Sequence, residues 1–308
     1  MKFMPYKILF MGTPDFSVPI LKKLNLEHKI IGVVTQPPKK KSRGQKIFKS
    51  PVHLEAEKLN IPIRHPNNLQ NNTELDYIKN IEIDFVVVAA YGQIIPDNFL
   101  NIKDLIFLNI HASLLPRWRG AAPIQRSIME MDTETGISIM KIIPKLDAGP
   151  FMLQEKISIN EGDNFLLLSK KLSEIGANLI ISALGLFKKN GVKFINQDEK
   201  NVTYAKKINK REAKINWNKP AKKIIAEING LNPFPGAWFE HEGNRIKIIE
   251  AEKSENSGGE GEVLTNDLII GCKEKSIKIK LIQKEGKKIL QTSNFLTGYK
   301  IKKGEILT

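Results

Sequence analysis

The chain has 308 residues, 41% hydrophobic and 26% charged, the balance of a globular protein with enough apolar material for a core that needs no staples. Its one cysteine, Cys272, excludes an intrachain disulfide framework and fits a reducing compartment, and its five scattered histidines lack metal-ligand spacing, so no metal site is expected. The formal net charge is +15, with 21 Lys and Arg against 13 Asp and Glu from residue 201 onward; either a lysine-rich composition or a polyanionic partner such as nucleic acid explains it.

Met1 to Met11 is apolar but is cut by Pro5 and Lys7 and runs at once into Gly12-Thr13-Pro14-Asp15. It therefore reads as a first strand feeding a turn, not as a signal peptide. No run approaches the ~20 apolar residues of a membrane helix, and a cytoplasmic location is expected. Phe16–Leu26 has helical spacing, and Ile30–Thr35 is a β-branched run. Gln36–Lys49 carries Lys39, Lys40, Lys41, Arg43, Lys46 and Lys49 and no acid. Its prolines and glycine predict a mobile loop, either a solvated charge run or a phosphate contact.

Asp84–Ala90 and Leu105–Ile110 are continuous apolar strands of the kind covered on both faces. With the β-α alternation before them they predict an open, mostly parallel α/β sheet. Gly136–Ile143 and Phe151–Ile159 are expected as antiparallel additions at one edge. A long helix follows from Asn164 to Lys189, with Phe165, Leu168, Leu172, Ile175, Leu179 and Ala183 on one face. Residues 1–190 are thus expected to form one domain. Residues 191–207 lack periodicity and read as a linker. Residues 208–308 hold a short helix, Pro220–Asn229, then the short strands Arg245–Glu250, Leu268–Gly271 and Ile277–Gln283, with turn signals such as Ser257-Gly258-Gly259. That is the pattern of a small β-barrel or sandwich.

In open α/β sheets, ligands bind beyond the carboxyl ends of the strands. The strand Leu105–Ile110 turns polar there, at Asn109 and His111, which share one face. An amide donor beside an imidazole suits acyl transfer, the amide meeting a developing oxyanion and the ring moving a proton. By spacing alone an ordinary hydrogen-bonded strand end fits as well. The loop from Ala112 to Pro123 is tight and apolar, either a wall for a flat heterocycle or a plain connection. Asp147, in the turn Lys145–Pro150, can reach His111 if its strand is adjacent and would then hold the ring's tautomer and favour its charged form; Asp-Ala-Gly is also a common turn. Gly12 stands without GxGxxG or GxxxxGK[ST], so neither a dinucleotide nor a P-loop nucleotide is supported.

Together these segments resemble the methionyl-tRNA formyltransferase family over nearly the whole chain. The matching stretches are Phe10–Phe16, Val34-Thr35-Gln36-Pro37, Ala90–Pro96, Asn109–Gln125, Leu146–Pro150, Leu231–Trp238 and Gly298–Leu307. Asn-x-His followed by Ser-Leu-Leu-Pro marks the broader folate-dependent formyltransferases, and Arg117–Gln125 is more specific to the tRNA enzymes. The resemblance implies a Rossmann-like formyltransferase sheet with a C-terminal OB-like β-barrel that binds tRNA. It implies transfer of a formyl group from 10-formyltetrahydrofolate to the α-amino group of initiator methionyl-tRNA, with no metal. Asn109, His111 and Asp147 match the family's catalytic positions, and Ser113, Leu114, Leu115 and Pro116 match its tetrahydrofolate-binding loop. The basic segment around Arg43, with Lys39, Lys40, Lys41 and Lys46, matches the insertion that enters the acceptor-stem end. Here the chain departs from the family, which commonly has an Asp-Arg-Pro-Ala-Gly-like stretch in place of Pro38–Ser42. A folate-dependent formyltransferase acting on a small amine, glycinamide ribonucleotide or a nucleotide amino sugar, shares the catalytic set and is the alternative. A monomer without an obligate protein partner is expected.

Overall fold

The computed structural model describes residues 4–41, 46–189 and 191–308, apart from the side chains of Lys40, Lys41 and Lys46. The chain clusters into two compact units. The first comprises Met1–Ala121, Thr135–Ile157 and Ser169–Ala205; the second comprises Ala122–Glu134, Ser158–Leu168 and Lys206–Thr308.

The first unit begins with β1 (Lys7–Gly12), α1 (Ser17–Glu27) and β2 (Lys29–Val34). There follow β3 (Lys39–Lys41), β4 (Lys46–Phe48), α2 (Pro51–Lys58), β5 (Ile63–Arg64), α3 (Asn72–Asn80), β6 (Phe85–Ala89), α4 (Asp97–Leu100), β7 (Ile106–His111) and β8 (Arg119–Gly120). α5 (Pro123–Met129) lies in the second unit, and β9 (Glu134–Lys141) and β10 (Phe151–Ser158) return almost wholly to the first. The seven-stranded sheet runs in the order β10-β9-β7-β6-β1-β2-β5. β1 pairs in parallel with β2 and β6, β2 with β5, and β6 with β7, while β9 runs antiparallel to β7. β6 is buried at every residue, which is why it reads as an uninterrupted apolar run rather than an alternating one. The chain leaves β1 toward β2 and β5 and comes back on the other side at β6 and β7, so the order reverses between β1 and β6. Loops diverge at such a switch point and leave a crevice at the strands' carboxyl ends. Asn109 lies in β7 opposite Val88 of β6, one strand away from that crevice.

α6 (Phe165–Lys188) covers the sheet from Ser169 onward within this unit. A Cβ added at Gly176 would stand 2.9 Å from Ile110 Cγ2, so glycine lets the helix backbone press onto β7 next to the predicted site.

Two features of this unit differ from the sequence reading. The basic segment after β2 is not a structureless loop: β3 and β4 pair antiparallel, Lys39 with Phe48, Lys40 with Ile47 and Lys41 with Lys46. Ile47 and Phe48 supply the β-forming side chains that the lysine count obscured. Arg43, predicted to contact RNA, lies outside the described residues. The second difference is the stretch read as a linker. It contains a 3₁₀ turn, Glu199–Asn201, and β11 (Tyr204–Ala205), which pairs in parallel with β8.

The second unit holds α7 (Ala221–Leu231), β12 (Trp238–His241), β13 (Asn244–Ser254), β14 (Ile269–Gly271), β15 (Ser276–Lys284), β16 (Leu290–Gln291) and α8 (Thr292–Gly298). The strands run β12-β13-β15-β14, all antiparallel, with β16 also on β15. The register of β13 slips between Ile248 and Ala251, and such bulges bend a long strand, curling this sheet into a half-barrel. Its inner face packs Phe239, Ile246, Ile248, Ile270 and Ile279 against Ile224, Ile228 and Leu231 of α7 and against Trp217. Cys272 lies in this core, where burial pushes its thiol up to about 12, so it behaves as a small apolar side chain rather than a nucleophile.

Candidate active site

β7 ends where its apolar run gives way to Asn109-Ile110-His111. The period of two places Asn109 and His111 on one face, and pairing with β9 sets them opposite Met140 and Ser138. Asn109 is half-buried, and among the described residues its side-chain amide takes no hydrogen-bond partner. A donor left open at a strand's carboxyl end is available to a ligand.

His111 is buried, 5% exposed. Its Nε2 lies 2.9 Å from the carbonyl oxygen of Trp118. A carbonyl only accepts, so Nε2 carries the proton and Nδ1 is the basic nitrogen of the neutral ring. Nδ1 is 3.7 Å from Asp147 Oδ2, beyond hydrogen-bond range. The tautomer is therefore set by the Trp118 carbonyl, where the sequence points to Asp147. The other expected role of Asp147 fits its place: it provides a negative charge beside Nδ1, positioned to balance the ring once it is protonated.

Asp147 is held at two points. Its φ of 44° is in the left-handed region, which an Asp tolerates better than most residues because its short polar side chain bonds locally. Oδ2 accepts the Gly120 N–H at 2.9 Å, and its backbone carbonyl accepts Gln197 Nε2 at 2.8 Å. Gln197 Nε2 also donates to the Gly149 carbonyl at 2.7 Å. A Cβ on Gly149 would run into the Lys141 carbonyl, so only glycine lets this turn pass so close to β9.

The 113–116 loop is closed from within. Ser113 is fully buried, and its hydroxyl donates to the Arg117 carbonyl at 2.6 Å. Ser138 donates to the Ser113 carbonyl at 2.6 Å and accepts the Leu115 N–H at 3.0 Å, and Gln154 donates to the Leu115 carbonyl at 2.9 Å. Leu115 points into the core, whereas Leu114 and Pro116 stay half-exposed. The loop thus presents an apolar edge whose own polar groups are already satisfied, a surface suited to a flat ring.

At the switch point, Thr13 donates to the Tyr91 carbonyl at 2.7 Å, and Gln36 donates to the Gly92 carbonyl at 2.9 Å. These bonds tie the loops after β1, β2 and β6 into one floor. Among the described residues no hydrogen bond or ion pair joins the β3–β4 hairpin to Asn109, His111 or Asp147. Nor does any group of three or more His, Cys, Asp or Glu there have the arrangement to hold a metal.

Sequence reasoning missed Ser138, Gln154, Gln197 and Thr203. Each acts largely through backbone carbonyls and N–H groups far away in sequence, which leave no spacing signal.

The model of the formyl transferase family matches residues 6–184, and that of the formyl transferase C-terminal domain matches residues 207–300. Methionyl-tRNA formyltransferase of Pelagibacter ubique is 51% identical over 308 residues, covering 99% of each chain. Among solved structures, the sugar 3N-formyl transferase WlaRD, determined in the presence of dTDP and 5-N-formyl-THF, superposes with a TM-score of 0.68 at 23% identity, covering 93% of this chain and 100% of its own. HypX from Aquifex aeolicus in complex with tetrahydrofolic acid gives 0.66 at 18% identity over 98% of this chain, which spans only 50% of HypX.

Proposed function

Because the chain belongs to the formyl transferase family, we propose that the end of β7, Asn109 and His111 faced by Asp147, is where it transfers its formyl group. The reaction is formylation of methionyl-tRNA on its α-amino group, giving the N-formylmethionyl-tRNA with which translation is initiated. The observation that carries the site assignment is the His111 ring, tied through Nε2 to a carbonyl and open through Nδ1 toward Asp147.

10-Formyltetrahydrofolate supplies the formyl carbon. The residues present fit it, since Leu114 and Pro116 offer an apolar edge and the Asn109 amide has an unused donor beside it. Ser113 and Leu115, buried beneath, hold that loop in shape. The attacking amine must be neutral, and α-amino groups with a pKa of about 7.7–8.0 are partly so at neutral pH. Asn109 donates to the formyl oxygen as negative charge develops on it. His111 Nδ1 takes the proton the amine sheds and hands it to the departing nitrogen, while Asp147 balances the charged ring. The turn 113–116 and the buried ring limit water at these atoms.

The acceptor is the initiator methionyl-tRNA, held by phosphate contacts from Lys39, Lys40, Lys41, Arg43 and Lys46. Catalysis belongs to the first unit, to which residues 1–190 belong apart from Ala122–Glu134 and Ser158–Leu168, and 208–308 bind tRNA. The protein works in the cytoplasm as a monomer without an obligate protein partner, and among the described residues no helix is long and apolar enough to cross a membrane.

Incubating the enzyme with 10-formyltetrahydrofolate and, separately, methionyl-tRNA, glycinamide ribonucleotide and a dTDP-amino sugar, followed by mass spectrometry, tests the acceptor. Formyl addition is expected on methionyl-tRNA alone. Equal or faster addition to either small amine would overturn it.

A further inference from the structure

We propose that residues 197–205 are a strap that sets the geometry of the catalytic pair, with Thr203 and Gln197 as positioning residues. The inference rests on the assignment of His111 and Asp147 to the reaction. The strap reaches both of them without touching reacting atoms.

The path to His111 runs through one peptide plane. The Trp118 carbonyl that accepts His111 Nε2–H and the Arg119 N–H belong to the same planar peptide group, so fixing one fixes the other. The Arg119 N–H donates to the Thr203 carbonyl at 2.9 Å, which turns the Trp118 carbonyl the opposite way, toward His111. The next N–H back, that of Trp118, donates to Thr203 Oγ1 at 2.9 Å. Trp118 has a φ of 65°, a conformation that a bulky residue does not hold unaided. Both N–H groups that flank this residue are held by Thr203.

The path to Asp147 has two branches. Gln197 Nε2 holds its backbone carbonyl and that of Gly149. Gly120, whose N–H holds the Asp147 carboxylate, is paired with Ala205 of the strap, and Ala121 N–H donates to the Ala205 carbonyl at 2.9 Å. The strap itself is anchored by Arg119, fully buried, with Nε on Gln197 Oε1 and Nη2 on Glu199 Oε1, each at 2.9 Å. Lys145 closes on the other oxygen of Glu199 at 2.8 Å. Arg119 and Lys145 together hold the Glu199 carboxyl down to about 2, so the anchor stays ionised throughout the physiological range. At Lys206, the residue after the strap, the second unit resumes.

The test compares Thr203→Val, which removes the hydroxyl acceptor at equal size, with Thr203→Ser, which keeps it, and with Gln197→Glu, which retains an acceptor for Arg119 but loses both amide donors. His111→Ala and Asp147→Ala are run alongside. Displacement of catalytic groups by less than 1 Å predicts a fall in kcat of about 10-fold for Thr203→Val and up to about 10²-fold for Gln197→Glu, with KM for both substrates within about twofold. Thr203→Ser is expected to restore kcat, and thermal unfolding midpoints are measured for every variant. The strap proposal is overturned if Thr203→Val and Gln197→Glu turn over like the parent while His111→Ala is inactive. It is also overturned if their losses lie in KM, or if both variants unfold, which would reduce the strap to a structural element. Normal turnover by His111→Ala and Asp147→Ala would instead overturn the site assignment, and the strap with it.

Discussion

His111→Ala is expected to lower the single-turnover rate of formyl transfer by about 10²–10⁴-fold, the usual contribution of a positioned general base. Among the described residues the ring is the only histidine at the carboxyl end of β7, and it is buried with its Nε2 committed to the Trp118 carbonyl. Nδ1 is then the one ring atom that can take up the amine's proton. Asn109→Ala is expected to cost about 10²–10³-fold, the effect of removing one donor to a developing oxyanion. Asp147→Ala should also slow the chemical step, because it removes the charge 3.7 Å from Nδ1 and frees the Gly120 N–H. KM for 10-formyltetrahydrofolate should change little in all three, as the apolar edge at Leu114 and Pro116 is left intact. Residues that act as a unit do not contribute additively, so the His111→Ala, Asn109→Ala double variant should lose less than the product of the single losses. Near-normal single-turnover rates in all three single variants would remove this strand end from the mechanism.

The second large effect concerns RNA. Neutralising one phosphate-binding side chain lowers the slope of log affinity against log salt by about 0.7–0.9. Replacing Lys39, Lys40, Lys41 and Arg43 by Gln should therefore flatten that slope by about 3 and weaken methionyl-tRNA binding by up to about 10³-fold at about 0.1 M salt. The pairing of β3 with β4 places Lys39, Lys40 and Lys41 on one strand instead of a free chain, which favours their acting together. Affinity for the formyl donor should not move, because no hydrogen bond or ion pair among the described residues joins the hairpin to the catalytic groups. An unchanged salt slope would take the hairpin out of the tRNA interface.

The strand that carries the proposed site is legible because burial on both faces writes itself as an unbroken apolar run, and the first polar residues then mark its carboxyl end. α6 was legible for a related reason: 24 residues of one amphipathic pattern leave little room for another structure. Asp147 could be suspected only on the condition that β9 lies beside β7, and pairing of Asn109 with Met140 and His111 with Ser138 meets that condition. Of its two expected roles, favouring the charged ring fits the geometry, and holding the tautomer does not. The group that fixes the His111 tautomer is a main-chain carbonyl, which every residue possesses and no sequence pattern distinguishes. The same blindness hid the strap. Residues 191–207 are polar and aperiodic, and Thr203 and Gln197 act on peptide groups 48 to 85 positions away. The basic hairpin reads as a loop in the sequence because Pro37, Pro38 and Gly44 are breakers, whereas Ile47 and Phe48 pair with the lysines opposite.

The protonation of the neutral His111 ring is read by nitrogen-15 NMR of the histidine rings, with its signals assigned by their absence in His111→Gln. A proton on Nε2 and an unprotonated Nδ1 are predicted, since Trp118 accepts from Nε2 and the site needs Nδ1 as its base. A neutral ring protonated on Nδ1 would rule out Nδ1 as the base, because the basic nitrogen would then face the Trp118 carbonyl and not the reacting groups.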